Sequence, residues 1–421
     1  MSSKNKMNNT SITLISLIGT GMYEGKDSGY RKTVYRFSDG YEFETSLFLE
    51  ALLEHPTVSS FDKILIVGTT TSDWGALIAQ DDEYTDLQIR ILEMRETKVF
   101  SKEAIDELQE VLAAKYKKSV VLFYHTDTVD FDTAEDVFDV YKEVAKNVSK
   151  NSKVLFDITH GFRSMPLLLY QALQYAFQEE LSESTSLIYG EYNKEEKISK
   201  VRDLSNYLEY AEIAGGFKLF NARFDGRLLS EKTETLWKKG CKWLKRFTAM
   251  VQANYFLQIF ELLSNLTNIL NEGIPEKSPS WVQDVYENLE DLHKQLRNHE
   301  KSKLLFAFSK ILAEKKLYTQ AIIGLQVTVE AKAFELFGDW DELGNYDYFQ
   351  EKVRPLFRDF LRNDFQEKHK DRIFNLEGVR NQVAHGGAKN KKTGGSLNAE
   401  NMYNQYESFV QIVEKLLEYE V

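Results

Sequence analysis

Cysteine is almost missing from this chain: Cys241 is the only one in 421 residues. One thiol can neither close an intramolecular disulfide nor build a cysteine-rich metal site, which fits a reducing compartment. No stretch approaches about eighteen consecutive apolar residues, and the opening MSSKNKMNNTS is polar, so neither a membrane span nor a leader is expected and the chain reads as cytoplasmic. Positive charge is short as well. With 53 Lys and Arg against 65 Asp and Glu, the net charge of −12 excludes a protein that holds bulk nucleic acid on a broad basic surface. The local basic runs KKGCKWLKRF (238–247), KHKDR (368–372) and KNKK (389–392) read as solvated faces or loops. There is no internal repeat and no low-complexity tract. What is present, 43% hydrophobic and 28% charged residues, is the make-up of a soluble globular protein, and 421 residues imply two or three domains.

The first two hundred residues alternate short β-branched runs with amphipathic segments, the pattern of a mainly parallel sheet covered by helices. Strands are predicted at 11–19, 63–70, 87–94, 118–126, 153–158, 185–192 and 197–202, with a hairpin at 32–45 around Asp39-Gly40, a favoured two-residue turn. Helices are predicted over 46–55, 102–116, 133–148 and 165–178, the last opened by Pro166. From about Leu204 the period turns helical and stays so: 204–224, 232–271, 280–298, 302–315, 318–337 and 399–419. The expected fold is therefore α/β plus all-α, a Rossmann-like domain over 1–203, a helical connector over 204–300 and a helical domain over 301–421.

Open parallel sheets gather ligands at the carboxyl ends of their strands. The loop Gly19-Thr20-Gly21-Met22 follows the first strand, but Glu24 stands where a dinucleotide fingerprint requires its third glycine, so a hydride-transfer site is not expected. Thr69, Thr70, Thr71 and Ser72 offer four hydroxyls to ribose or phosphate; read blandly, they are only a turn. DITHGFRSMP (157–166) is more specific, because Thr159, His160, Gly161, Phe162, Arg163 and Ser164 lead into a helix whose N-terminus and guanidinium would both favour an anion. No phosphate loop of the GxxxxGK[ST] type is present.

Near the C-terminus, EGVRNQVAHGG (377–387) holds Arg380, Asn381 and His385 within two helical turns. Asn381 and His385, four apart, share a helix face, whereas Arg380 has to reach round by about 140°. The bland reading is a helix end, with His385 on the dipole and Gly386 and Gly387 as the stop.

Together these residues resemble the CRISPR-associated CARF-HEPN ribonucleases that accompany type III interference complexes. LIGTGMY, VGTTTS and DITHGFRSMP look like a CARF domain, and an Arg, a polar residue and a His four to six positions beyond the Arg is the mark of a HEPN domain, matched by Arg380, Asn381 and His385. The resemblance covers most of the chain and is weakest over 225–300. It implies a sensor-effector enzyme in which a cyclic oligoadenylate, cyclic tetra-adenylate or else cyclic hexa-adenylate, binds at Gly19–Met22, Thr69–Ser72 and Thr159–Ser164, with Arg163 near phosphate. It further implies a homodimer, or a higher oligomer built on it, that cuts single-stranded RNA with no metal and no cofactor. Arg380 would then stabilise the phosphorane, His385 act as acid/base or orienting group, and Asn381 position them. The chemistry agrees: RNA carries its own 2'-OH nucleophile, imidazole titrates near neutrality and guanidinium stays charged. Some CARF domains cleave their own activator; His125 and His160 are the residues to suspect for that. Two rivals stay open: a nucleotide-sensing regulator whose helical domain binds a partner without cutting, and a metal-dependent nuclease, for which the helical half offers no carboxylate-lysine cluster.

Overall fold

The run Ile12–Leu17 forms strand β1, and from Thr13 onward every residue of it is buried, as in a strand covered on both faces. The computed structural model describes residues 11–21, 29–56, 58, 60–97, 99–126, 133–148, 152–161, 164–177, 185–365, 367–384 and 401–419. They form two units, divided between Glu212 and Ile213.

The N-terminal unit is α/β. Its other strands are β2 Thr33–Arg36, β3 Glu42–Thr45, β4 Lys63–Thr69, β5 Ser119–His125, β6 Lys153–Asp157, β7 Thr185–Asn193 and β8 Ile198–Asp203, in the order β3-β2-β8-β7-β6-β1-β4-β5. Among the described residues only β2–β3 and β7–β8 pair antiparallel. Because strand side chains alternate, Leu14, Ile64 and Ile66 pack on one face, under α1 (Phe48–Glu54), α2 (Thr85–Thr97) and α3 (Lys102–Tyr116). Ile15, Leu65 and Val67 pack on the other, under α4 (Ala134–Lys146) and α5 (Met165–Phe177). The expected strand at 87–94 is a correction: it lies inside α2. Leu87, Ile89 and Ile91 alternate like a strand, yet the buried set is Leu87, Ile91 and Met94, at helical spacing, with Ile89 and Leu92 exposed.

The C-terminal unit is helical: α6 (Asn206–Arg223, which contains the junction), α7 (Arg227–Thr233), α8 (Lys238–Ala253), α9 (Ile259–Glu272), α10 (Ser280–Leu296), α11 (Lys301–Glu314), α12 (Tyr318–Phe337), α13 (Arg354–Asn363), α14 (Glu367–Ala384) and α15 (Met402–Leu417). Helix α12 is apolar on nearly every side because α11, α13, α14 and α15 all pack on it. One apolar core runs from Ile213 to Leu417, so residues 213–300, expected to belong to a connector, share the core of the residues beyond 300. The basic run 238–247 lies on α8, where Lys239, Lys245 and Arg246 pair with Glu272, Glu234 and Glu261 on an exposed face. Among the described residues no helix is long and apolar enough to cross a membrane.

Candidate functional site

The carboxyl ends of β6, β1 and β4, three neighbouring parallel strands, open side by side, and β1 is the point where the connections diverge to the two halves of the sheet. After β1, Gly19 is clasped by Tyr30: the Gly19 N–H donates to the phenol oxygen at 2.8 Å and the phenol donates back to the Gly19 carbonyl at 2.7 Å. Gly21 has φ +64°, and a Cβ there would stand 2.9 Å from Asp73 Oδ2, so the turn requires glycine. Asp73 holds the same turn by donating its N–H to the Gly19 carbonyl at 2.8 Å. Its carboxylate lies 3.5 Å from Arg95 Nη1; burial pushes the Asp73 pKa up and Arg95 opposes the rise.

After β4, the Thr69 N–H donates to Ser72 Oγ at 2.7 Å, and the Ser72 hydroxyl donates to the Ile18 carbonyl at 2.8 Å. Thr69 and Ser72 are buried, so their hydroxyls brace the turn, while Thr70 and Thr71 stand half-buried at its rim. After β6, Asp157 has no exposed surface. It accepts from the Ser16 hydroxyl at 2.6 Å and from the Thr159 N–H at 2.8 Å, and burial pushes its pKa up to about 6. The Thr159 hydroxyl oxygen accepts the Gly190 N–H at 2.9 Å. His160 accepts the Phe48 N–H at Nε2 over 3.0 Å, which ties the start of α1 to this turn, and burial holds its pKa down at about 4. It is a neutral acceptor there, with the Tyr30 ring tilted against its own at a centroid distance of 4.4 Å. Gly161 is required by packing: a Cβ would meet Leu17 Cδ1 at 2.6 Å. Ser164 is exposed where α5 begins. At the end of β5, His125 is buried against the Tyr141 hydroxyl at 2.9 Å.

In the C-terminal unit, Arg380 and Asn381 lie one turn before the end of α14. The Arg380 Nη1–H donates to Asn381 Oδ1 at 3.0 Å, and Nη2 stands 3.8 Å from Glu330 Oε1 on α12. Glu330 accepts from the Gln326 amide at 3.0 Å; burial raises its pKa, with that bond and Arg380 opposing. A cleft of about 230 Å³ is lined by these groups and by Arg354 and Arg358 of α13. Arg354 is bound to Gln350 and Glu377, and Arg358 Nη2 lies 3.9 Å from Glu377 Oε2 with its guanidinium over Phe374. Just before α13 the chain makes a π-helical turn, Phe349–Val353, a device often found beside functional sites. Three guanidiniums, which never lose their charge, thus face one cleft in an otherwise acidic chain. Among the described residues no three His, Cys, Asp or Glu side chains are grouped as metal ligands.

Residues 13–198 match the family model described as the CARF domain of the CRISPR system endoribonuclease Csx1. The N-terminal unit is a CARF domain. Over 92% of its length the chain is 24% identical to the CRISPR-associated protein MJ1674 of Methanocaldococcus jannaschii, of which it spans 64%. It is also similar to Enterococcus italicus Csm6 bound to cyclic hexa-2'-fluoro-hexa-dAMP, at 13% identity and a TM-score of 0.39, covering 97% of this chain and 94% of that one.

The CARF domain brings Gly19, Thr20, Gly21, Thr70, Thr71, Thr159, His160, Gly161 and Ser164 to one end of its sheet, with Thr69 and Ser72 beneath them. Met22, Phe162 and Arg163 lie outside the described residues, as does His385 of the helical unit. Asn381, expected to orient the imidazole, is bonded to the Arg380 guanidinium. Sequence reading missed Tyr30, Asp73 and Arg95 around the Gly19–Gly21 turn and Glu330, Glu377, Arg354 and Arg358 around Arg380. The four-residue spacing of Arg354, Arg358 and Arg362 was the available signal for the last group.

Proposed function

We propose that the chain is a cyclic-oligoadenylate-activated endoribonuclease of type III CRISPR defence that cuts single-stranded RNA without a metal ion. The observation that carries the reading is Arg380, fixed by Asn381 and Glu330 in a cleft with two further guanidiniums, in the same chain as a CARF domain. A guanidinium has five N–H donors, so those two partners leave donors for a phosphate. In this reading His385 follows α14 directly and exchanges the proton of the 2'-OH or of the leaving 5'-oxygen, and Arg380 neutralises the phosphorane on the way to a 2',3'-cyclic phosphate. One chain supplies one such set; a two-fold dimer supplies two across a composite cleft. The activator would be a cyclic oligoadenylate held at the carboxyl ends of β1, β4 and β6, cyclic tetra-adenylate first and cyclic hexa-adenylate second, in a cytoplasmic protein.

The test is cleavage of a labelled RNA in EDTA with each cyclic oligoadenylate added. Fragments ending in 2',3'-cyclic phosphate are expected, and Arg380→Ala or His385→Ala should slow the cut by about 100-fold or more with activator binding unchanged. RNA left intact by the wild-type protein that still binds the activator would establish the regulator instead; cleavage lost in EDTA would establish a metal enzyme.

A further inference from the structure

Beside the Arg380 cleft lies a second cavity of about 390 Å³, within the size range of small-ligand pockets. The two share Glu330, Tyr346 and Phe349 in their walls, so one opens along the other. The second differs in character. Among the described residues no guanidinium lines it, and its rim carries Tyr255 and Tyr346, 65% and 71% exposed, large aromatic rings left in solvent on a helical unit that buries most of its others. Phe349 supports that wall from within, stacked on Phe334 with ring centroids 5.7 Å apart. Asn254 lines the same cavity from the end of α8. Its φ of +59° accounts for an asparagine as helix cap. That does not account for its side-chain Oδ1, which is shielded from solvent and has no hydrogen-bond partner among the described residues.

Flat aromatic faces beside a phosphate-binding cleft are what an unstacked base of single-stranded nucleic acid seeks, and an amide oxygen is a reader of base edges. We propose that this pocket is a nucleobase subsite: the phosphodiester lies at Arg380, an adjoining base stacks on Tyr346 and Tyr255, and Asn254 Oδ1 accepts a hydrogen bond from an exocyclic amine of that base. The inference rests on the ribonuclease reading and adds the determinant of where the RNA is cut.

The experiment uses the full chain with activator and a set of oligoribonucleotides that differ in one base beside the cut. Tyr346→Ala and Tyr255→Ala, both at largely exposed positions, should each raise KM about tenfold with little change in kcat, while Tyr346→Phe keeps the wild-type KM. Asn254→Gly retains the left-handed backbone and should erase the preference for amine-bearing bases over uracil. Wild-type KM in both alanine variants, or an unchanged base preference in Asn254→Gly, would overturn the subsite while leaving the ribonuclease reading intact. Should the wild-type protein not cut RNA, that reading fails, and fluorescence anisotropy with labelled single-stranded RNA decides the pocket by itself. Weaker binding by Tyr346→Ala than by Tyr346→Phe upholds it; equal binding, or no binding by the wild type, overturns it.

Discussion

Asp157 and His160 stand three residues apart in one turn of the CARF domain and are tuned in opposite directions by the same cause, burial. The Asp157 carboxyl titrates at about 6 in the folded chain against 3.8 unfolded, so its protonated form is favoured by folding; its contribution is complete below the unfolded value and is lost as pH rises through about 6. His160 titrates at about 4 against 6.5, so its contribution is complete above the unfolded value and is lost as pH falls through about 4. Each shift corresponds to about 3 kcal/mol, and over the same acidic window the two oppose one another. Asp157→Asn, which keeps an acceptor for the Thr159 N–H and a donor for Ser16, should therefore expose the histidine: denaturant unfolding of the variant is expected to lose stability as pH is lowered from about 6.5 to about 4. His160→Gln, whose amide oxygen can accept the Phe48 N–H, should do the reverse and gain stability over that range. Wild-type slopes in both variants would show that these groups are not buried as described.

At the scale of elements, the strands that position the site were legible because each is short, apolar and β-branched, and its end is marked by Gly, Thr or Asp. The failure at 87–94 is instructive, since Leu87, Ile89 and Ile91 satisfy a period of two over five residues and only Met94 breaks the tie. Helix α13 was not among the predicted helices, although its Pro355 stands in the first turn, where proline is tolerated. Of the site, the glycine and threonine turns could be read, whereas Tyr30, Asp73 and Arg95 could not, because only the order of strands brings them to Gly19. Gly161 shows a further limit. The sequence suggests a glycine for a tight bend, but the constraint lies across the sheet, where Leu17 of β1 fills the space of a side chain. Gly161→Ala should thus destabilise the CARF domain by about 1–3 kcal/mol through overpacking, with the full cost appearing in thermal unfolding and no relief from a change of pH. An unchanged melting temperature would mean that the turn after β6 is free to move off β1.

At the scale of the whole chain, the question is which stretches can fold by themselves, and the cores answer it differently from the sequence pattern. The sequence pattern suggests a connector that ends near 300, yet periodicity reports only which face of a helix is apolar and not what covers it. In the helical unit, Trp243, Phe247 and Phe256 before that boundary and Phe308 after it form one aromatic cluster, and Trp243 and Phe247 stack with centroids 4.7 Å apart. Removing 213–300 would leave Phe308, Leu304, Leu305 and Leu312 without the partners that bury them, and each large side chain stripped of its cover forfeits about 1.5–3 kcal/mol. For these four the loss is about 6–12 kcal/mol, comparable to the whole stability of about 5–15 kcal/mol of an ordinary domain. A fragment of residues 301–421 should therefore be unfolded or molten, with exposed apolar surface that binds a hydrophobic dye and no cooperative transition. A fragment of residues 213–421 should unfold cooperatively. A folded, cooperative 301–421 would place the boundary at 300 and make the preceding helices the connector that their sequence suggests.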